Sequence, residues 1–171
     1  MDVFEAIRTV LAVREYDERP VPEDVVRRIV EAAWLTASSR NGQPWHFVVV
    51  QDAGMLQKLG KAVRTGPYIA NAPMAVAVAF ERSSPYGASD VSRAVQSMVL
   101  AAWEEGVGSN WAGFGGLDDA ARLLGVPDEY EVFAVLPFGY PNRRVGRGKK
   151  NRKPLGEVAS RERFGQAFRW G

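Results

Sequence analysis

Residues 37–50 read ASSRNGQPWHFVVV, and the stretch joins two kinds of chain. The first half is small, polar and turn-forming. The second is apolar and β-branched without alternation, which predicts a strand over 46–51 covered on both faces. A loop carrying Ser38, Ser39, Asn41 and Gln43 is therefore set against the entry of a core strand. Hydroxyls and amides donate and accept without titrating. Such a set suits the rim of a neutral heteroaromatic ring and is ill suited to acid–base work. Capping a helix end and a strand start is the commoner use of a loop of this composition.

Working outward, AVAVAF at 75–80 follows Pro73 and predicts a second, central strand, and YEVFAVLPFGY at 130–140 predicts a third. Apolar residues recur at helical spacing over 2–12 (Phe4, Ile7 and Leu11, with Asp2 as N-cap) and in a segment opened by Pro22 (Val25, Val26, Ile29, Val30, Ala33). Residues 54–63 suit a short helix. Residues 89–105 are apolar around much of the helical circumference, which places them deep in the core or in a subunit interface. GVGSNWAGFGG at 106–116 is a glycine-rich turn around a short strand, and DDAARLLG is a helix closed by Gly125. Helices bracketing a small mixed central sheet make the fold α+β. A doubly wound parallel sheet is the alternative, but no strand runs into a G-x-G-x-x-G or Walker loop. No repeat or linker divides the chain, so residues 1–171 read as one domain.

The 171 residues are enough for a real hydrophobic core. The lack of cysteine excludes disulfides, thiol catalysis and cysteine-ligated metals. The single histidine, His46, leaves little for a metal site or a proton relay, and beside Trp45 at a strand entry it reads as structural. No apolar run is long enough for a membrane span, and the opening MDVFEAIRTV has no signal core, so a cytoplasmic protein is expected. The net charge of +2 hides an asymmetry: residues 141–171 hold ten Lys or Arg against two Glu. The cations cluster in PNRRVGRGKKNRKP, residues 141–154, either a solvated loop or a contact for phosphate or nucleic acid. That run lacks interleaved aromatics and the remainder of the chain is net acidic, which argues against nucleic acid.

Taken in order, several pieces resemble the FMN-dependent nitroreductases, in a short form. They are Val13-Arg14-Glu15-Tyr16 with Pro20-Val21-Pro22; Ser39-Arg40-Asn41-Gly42-Gln43-Pro44-Trp45; and, in the back half, GVGSNWAGF, LLGVPDEYEVFAVLPFGYP and NRKPLGEV. The match runs over nearly the whole chain. The resemblance implies a homodimer with two FMN sites at the subunit interface. It also implies a ping-pong oxidoreductase passing hydride from NADH or NADPH through flavin N5 to a small-molecule acceptor such as a nitroaromatic or quinone. Ser38, Ser39 and Asn41 would line the flavin edge, with Gln43 in support, and this loop can come from the partner. The backbone of Ala112 and Gly113, after Trp111, would approach N5. Arg14, Arg152 and Lys153 would meet the phosphate. No side-chain acid–base pair is required, because the flavin carries the hydride chemistry.

One departure stands out. Where the family has an Arg and a Ser for the phosphate, this chain has Val10-Leu11-Ala12. Arg8 or the cations of 147–153 are candidate substitutes. Without one, weak FMN binding, a different ligand such as the deazaflavin F420, or a sensor or storage role would follow. Residues 64–75 and 81–90 leave little chain for a lid, so an open, shallow substrate site is expected. Phe164, Phe168 and Trp170 recur at roughly helical spacing, and residues 155–171 are expected to pack as an arm on the partner.

Overall fold

The alternation in residues 74–81 organises the fold. In this computed structural model, which describes residues 1–143, 145–146 and 150–168, that segment is strand β2 (Met74–Glu81), buried along almost its whole length. Side chains of period two go to opposite faces. Met74, Val76, Val78 and Phe80 enter one core layer, and Ala75, Ala77 and Ala79 enter another. The first layer packs under α2 (Glu23–Trp34) and α4 (Gly87–Glu104), through Ile29, Ala33, Val91, Ala94, Val95 and Met98. The alanine face lets α3 (Ala53–Ala62) and α5 (Leu117–Leu124) approach closely, with Leu56, Leu59 and Ala120 buried against it.

The sheet has the order β1-β2-β4-β3, with β1 Trp45–Val50, β4 Tyr130–Gly139 and β3 Gly108–Ser109. All its ladders are antiparallel. The mixed character expected from the sequence is confined to one parallel bridge, Ala12 to Ser109, among the described residues. The helix of residues 2–12 is shorter than expected: α1 is Val3–Thr9, with Asp2 accepting the Glu5 N–H at 2.7 Å. Beyond it, the Val13 N–H donates to Ser109 O at 2.8 Å, so the chain leaves α1 as a short extension of the sheet edge. A last short helix, α6, is Leu155–Val158.

Three expectations need correction. β1 is an edge strand whose two faces are only partly covered: Trp45 and Phe47 pack on one core layer and Val48 and Val50 on the other, but Val49 and His46 are exposed. β-branched content alone does not distinguish an edge strand from a central one. Second, the Phe4–Ile7 face of α1 points away from the chain's own core: Val3, Phe4 and Ile7 are exposed, and Ala6 and Thr9 are buried instead. Third, the spacing of Phe164 and Phe168 does not reflect a helix. Ser160 and Ala167 form an antiparallel bridge around a turn, and Phe164 is fully exposed. Trp170, Arg144, Arg147 and Lys149 lie outside the described residues.

Candidate functional site

The polar loop contains a single 3-10 turn, Ser39–Asn41, between α2 and β1. Arg40, Asn41 and Gln43 all have positive φ, 55°, 55° and 46°, in the left-handed region that residues other than glycine rarely adopt. Two tethers hold it. The Gln43 N–H donates to Ser38 Oγ at 2.9 Å, and Ser39 donates through N–H and hydroxyl to the buried carboxylate of Asp90, on the first turn of α4. Arg93, one turn further on, pairs with the same carboxylate. Neither serine caps a helix: α2 ends at Leu35, and Ser38 and Ser39 instead bond to Gln43 N–H and to the Asp90 side chain. Asp90 and Arg93 escaped the sequence reading, although an acid and a base three apart at a helix start are a legible ion-pair signal.

A second cluster lies further along α4. Val95, Gln96 and Val99 line a cavity of about 360 Å³ with Ile7, Val10, Leu11, Ala12, Ser109, Asn110, Trp111, Lys150 and Arg152. Trp111 and Arg152 were expected here. Gln96, Asn110 and Lys150 were not, though a lone amide in the apolar run VQSMVL is a visible cue. Arg14 faces a neighbouring cavity of about 300 Å³ that shares Ala12, and its guanidinium lies 5.9 Å from the Tyr68 ring. Tyr68 also receives a hydrogen bond from the Asn110 amide. Lys153 is exposed and lines neither cavity. No residue of 38–43 lines either of them.

The two backbone groups expected near a ligand differ. Ala112 is fully buried, and its N–H donates to Val135 O at 3.2 Å, so it is committed within the chain. The Gly113 N–H has no hydrogen-bond partner among the described residues. Trp111 stands over this turn, its ring 5.3 Å from that of Phe133. A side chain at position 113 would meet Trp111 Nε1 at 2.3 Å, so glycine is required there for close approach.

Two cations lie near Val10-Leu11-Ala12, where the family's arginine is missing. Arg8 is already held by Glu5 at 2.8 Å. Lys150 reaches the Ile7 carbonyl, and with Arg152 it brings two positive charges to the mouth of the cavity lined by Val10, Leu11 and Ala12. Burial, and then Arg152, hold the Lys150 ammonium below the ordinary lysine range. The lining of this cavity thus combines apolar side chains, the uncharged amides of Gln96 and Asn110, and the cations Lys150 and Arg152. That donor set fits an aromatic ring system with an anionic tail. Among the described residues no group of three or more His, Asp or Glu could hold a metal ion, and no helix is long and apolar enough to cross a membrane.

Comparison with known proteins agrees with this geometry. The model of the nitroreductase family matches residues 8–84 and 64–140. This chain belongs to the nitroreductase family. A relative from Methanothermobacter thermautotrophicus, provisionally named an NADH dehydrogenase/NAD(P)H nitroreductase, is 36% identical over 154 residues, covering 85% of this chain and 81% of that protein. A solved structure from Parabacteroides distasonis with the same provisional name superposes with a TM-score of 0.85 at 26% identity, covering 91% of this chain and 95% of the other. An FMN-dependent nitroreductase from Clostridium difficile, 24% identical, has the same fold with a TM-score of 0.79, covering 84% and 90%. The nitroreductase fold accounts for the helix-flanked four-stranded sheet, and the chemistry of a family member of this kind is that of an oxidoreductase.

Proposed function

We propose that two copies of this chain pair to enclose FMN, and that the dimer is an NAD(P)H-dependent reductase of small electron acceptors such as nitroaromatics or quinones. The observation that carries this reading is the split site. The tethered loop 38–43 and the cavity at Trp111 and Arg152 are separate in one chain, yet both flank one exposed stripe of α4. Arg93, which holds the loop, and Gln96 and Val99, which line the cavity, recur three apart, on one helix face. A two-fold pairing across that stripe is isologous. It sets the loop of each subunit over the other's cavity, and it covers the apolar residues Val3, Phe4 and Ile7 that α1 leaves exposed.

FMN, when bound, supplies the hydride chemistry, accepting hydride from NAD(P)H and passing electrons to the acceptor in a separate half-reaction. The protein's part is to bind and orient. Lys150 and Arg152 hold the phosphate end, with Arg14 beside them and Lys153 nearby in sequence. The uncharged loop residues Ser38, Ser39, Asn41 and Gln43 grip without introducing a proton donor that titrates near neutrality. The free Gly113 N–H is the group available to a ring nitrogen. The short connections at the 3-10 turn Pro67–Asn71 and at residues 82–86 leave little chain for a lid, which supports an open and unselective acceptor site.

Purified protein should be yellow, bleach anaerobically on addition of NADH or NADPH, and sediment as a dimer. A colourless monomer that takes up no FMN at high micromolar concentration refutes the proposal.

A further inference from the structure

Left-handed backbone at residues other than glycine persists only where the surroundings over-determine it, and the turn of Arg40, Asn41 and Gln43 is anchored to the rest of the chain by one carboxylate, through the adjacent Ser39. Asp90 is only 1% exposed. Its two oxygens receive the Ser39 N–H at 3.1 and 3.2 Å and the Ser39 hydroxyl at 3.1 Å. Arg93 completes the cluster, bonded to Asp90 and reaching Ser39 Oγ at 3.4 Å.

We propose that Asp90 is the positioning residue of the cofactor loop, fixing Ser39 so that its hydroxyl can meet a ligand only as an acceptor while that of Ser38 remains free to donate. A carboxylate only accepts and a guanidinium only donates. The Ser39 proton is therefore committed to Asp90, and one Ser39 lone pair faces Arg93. What remains at Ser39 is a lone pair. At Ser38 the situation is reversed: Oγ already accepts the Gln43 N–H, and its own proton is available. Ser39 thus selects a ligand group that carries a proton, a ring N–H or a sugar-alcohol hydroxyl, and turns away from an ionised phosphate. This assignment rests on the flavin reading above, and it divides the labour in that site: Asp90 and Ser39 serve the ring and ribityl part, and Lys150 with Arg152 serves the anionic end.

Riboflavin, which lacks the phosphate, separates the two. Dissociation constants for riboflavin and FMN are measured by flavin fluorescence quenching, alongside thermal unfolding of the flavin-free protein, for Asp90→Ala, Asp90→Asn, Ser39→Ala and Asp52→Ala. The last removes an unrelated helix cap, in which Asp52 accepts the Met55 N–H at 2.7 Å, and controls for loss of stability. Asp90→Ala should weaken both flavins in parallel, by about ten- to a hundredfold. Asp90→Asn, which keeps one acceptor oxygen, should recover part of the loss. Asp52→Ala should lower the unfolding temperature and leave both constants unchanged. Should Asp90→Ala fail to fold, Asp90→Asn and Ser39→Ala carry the same comparison, each weakening both flavins to a smaller degree. Unchanged riboflavin binding in the Asp90 variants overturns the inference. So does a loss confined to FMN, or losses that merely track stability across all four variants. Wild-type protein that binds neither flavin overturns the flavin reading and this inference together, whereas wild-type binding with silent Asp90 variants overturns this inference alone.

Discussion

Replacing Gly116 by alanine should damage this protein far more than the same change at Gly125, although both glycines bound α5 and both are left-handed, with φ of 82° and 65°. At Gly125 a Cβ would find no heavy atom within 4 Å. Only the left-handed penalty applies, about 1 kcal/mol. At Gly116 the same Cβ would lie 1.8 Å from the carbonyl oxygen of Ala62, at the end of α3, roughly half a normal non-bonded separation. Neither side yields easily. The Arg64 N–H is bonded to Gly115 O at 3.2 Å, and Val63 between them is completely buried. Relieving the clash means shifting packed backbone, which adds about 1–3 kcal/mol to the dihedral cost. For a chain of this length each kcal/mol moves the unfolding midpoint by about 2–4 °C. Calorimetry should show a fall of about 3 °C for Gly125→Ala and of about 10 °C for Gly116→Ala. The glycine-rich turn that carries Trp111 and Gly113 ends at Gly116, so flavin affinity should fall in that variant and persist in the other. Equal shifts in the two midpoints would refute the reasoning, because the steric part would then be absent.

Three further outcomes are expected. Burial raises the ionisation of Tyr16 above the usual tyrosine value near 10.0, with Tyr68 adding to the rise and Arg14 opposing it, and its hydroxyl donates to Val13 O at 2.6 Å. The unfolded chain therefore ionises first, so stability is intact below about pH 10 and declines above it. Tyr16→Phe should cost about 1 kcal/mol at neutral pH and flatten that alkaline decline in urea titrations; a decline of unchanged slope contradicts the assignment. Lys150→Ala should weaken FMN by about tenfold and riboflavin hardly at all, and equal losses would place the lysine away from the phosphate. Deleting residues 164–171 should raise the dimer dissociation constant in sedimentation experiments, and an unchanged constant would show that this segment is no arm.

Local signals carried most of the fold. Asp2 and Gly125 are terminators whose chemistry is self-contained, and both act where the sequence places them. The apolar run AVAVAF at 75–80 after Pro73 predicts a central strand, and β2 is one. What periodicity does not disclose is whether an apolar face is covered by the chain itself. Phe4 and Ile7 have the periodicity of a core-facing helix, yet they are exposed, because periodicity reports that a face is to be buried and not against what. Edge position escaped for a related reason: β1 is as β-branched as a central strand, and only the sheet order reveals its free side. Hydrogen bonds between distant segments were equally invisible. Asp90 has a local partner in Arg93, but its other partner, Ser39, is fifty-one residues away in sequence.

In the proposed site, the hydrogen bonds that hold the loop 38–43 and its contacts to a ligand are one arrangement, not two. A polar loop at the mouth of a core has to satisfy its own backbone, or burial is penalised at each unpaired group. Here that satisfaction comes from Ser38 Oγ and the Asp90 carboxylate, and it consumes a defined subset of the loop's donors and acceptors. The groups left over are fixed in both kind and position before any ligand arrives. Preorganised groups lose little entropy on binding, which is where a strained backbone offsets its cost. The loop therefore has to be built from Ser, Asn and Gln, whose hydrogen-bonding capacity exceeds what the backbone needs. A loop of glycine and alanine could adopt the same left-handed turns with less strain, but it would have nothing left to offer a ligand.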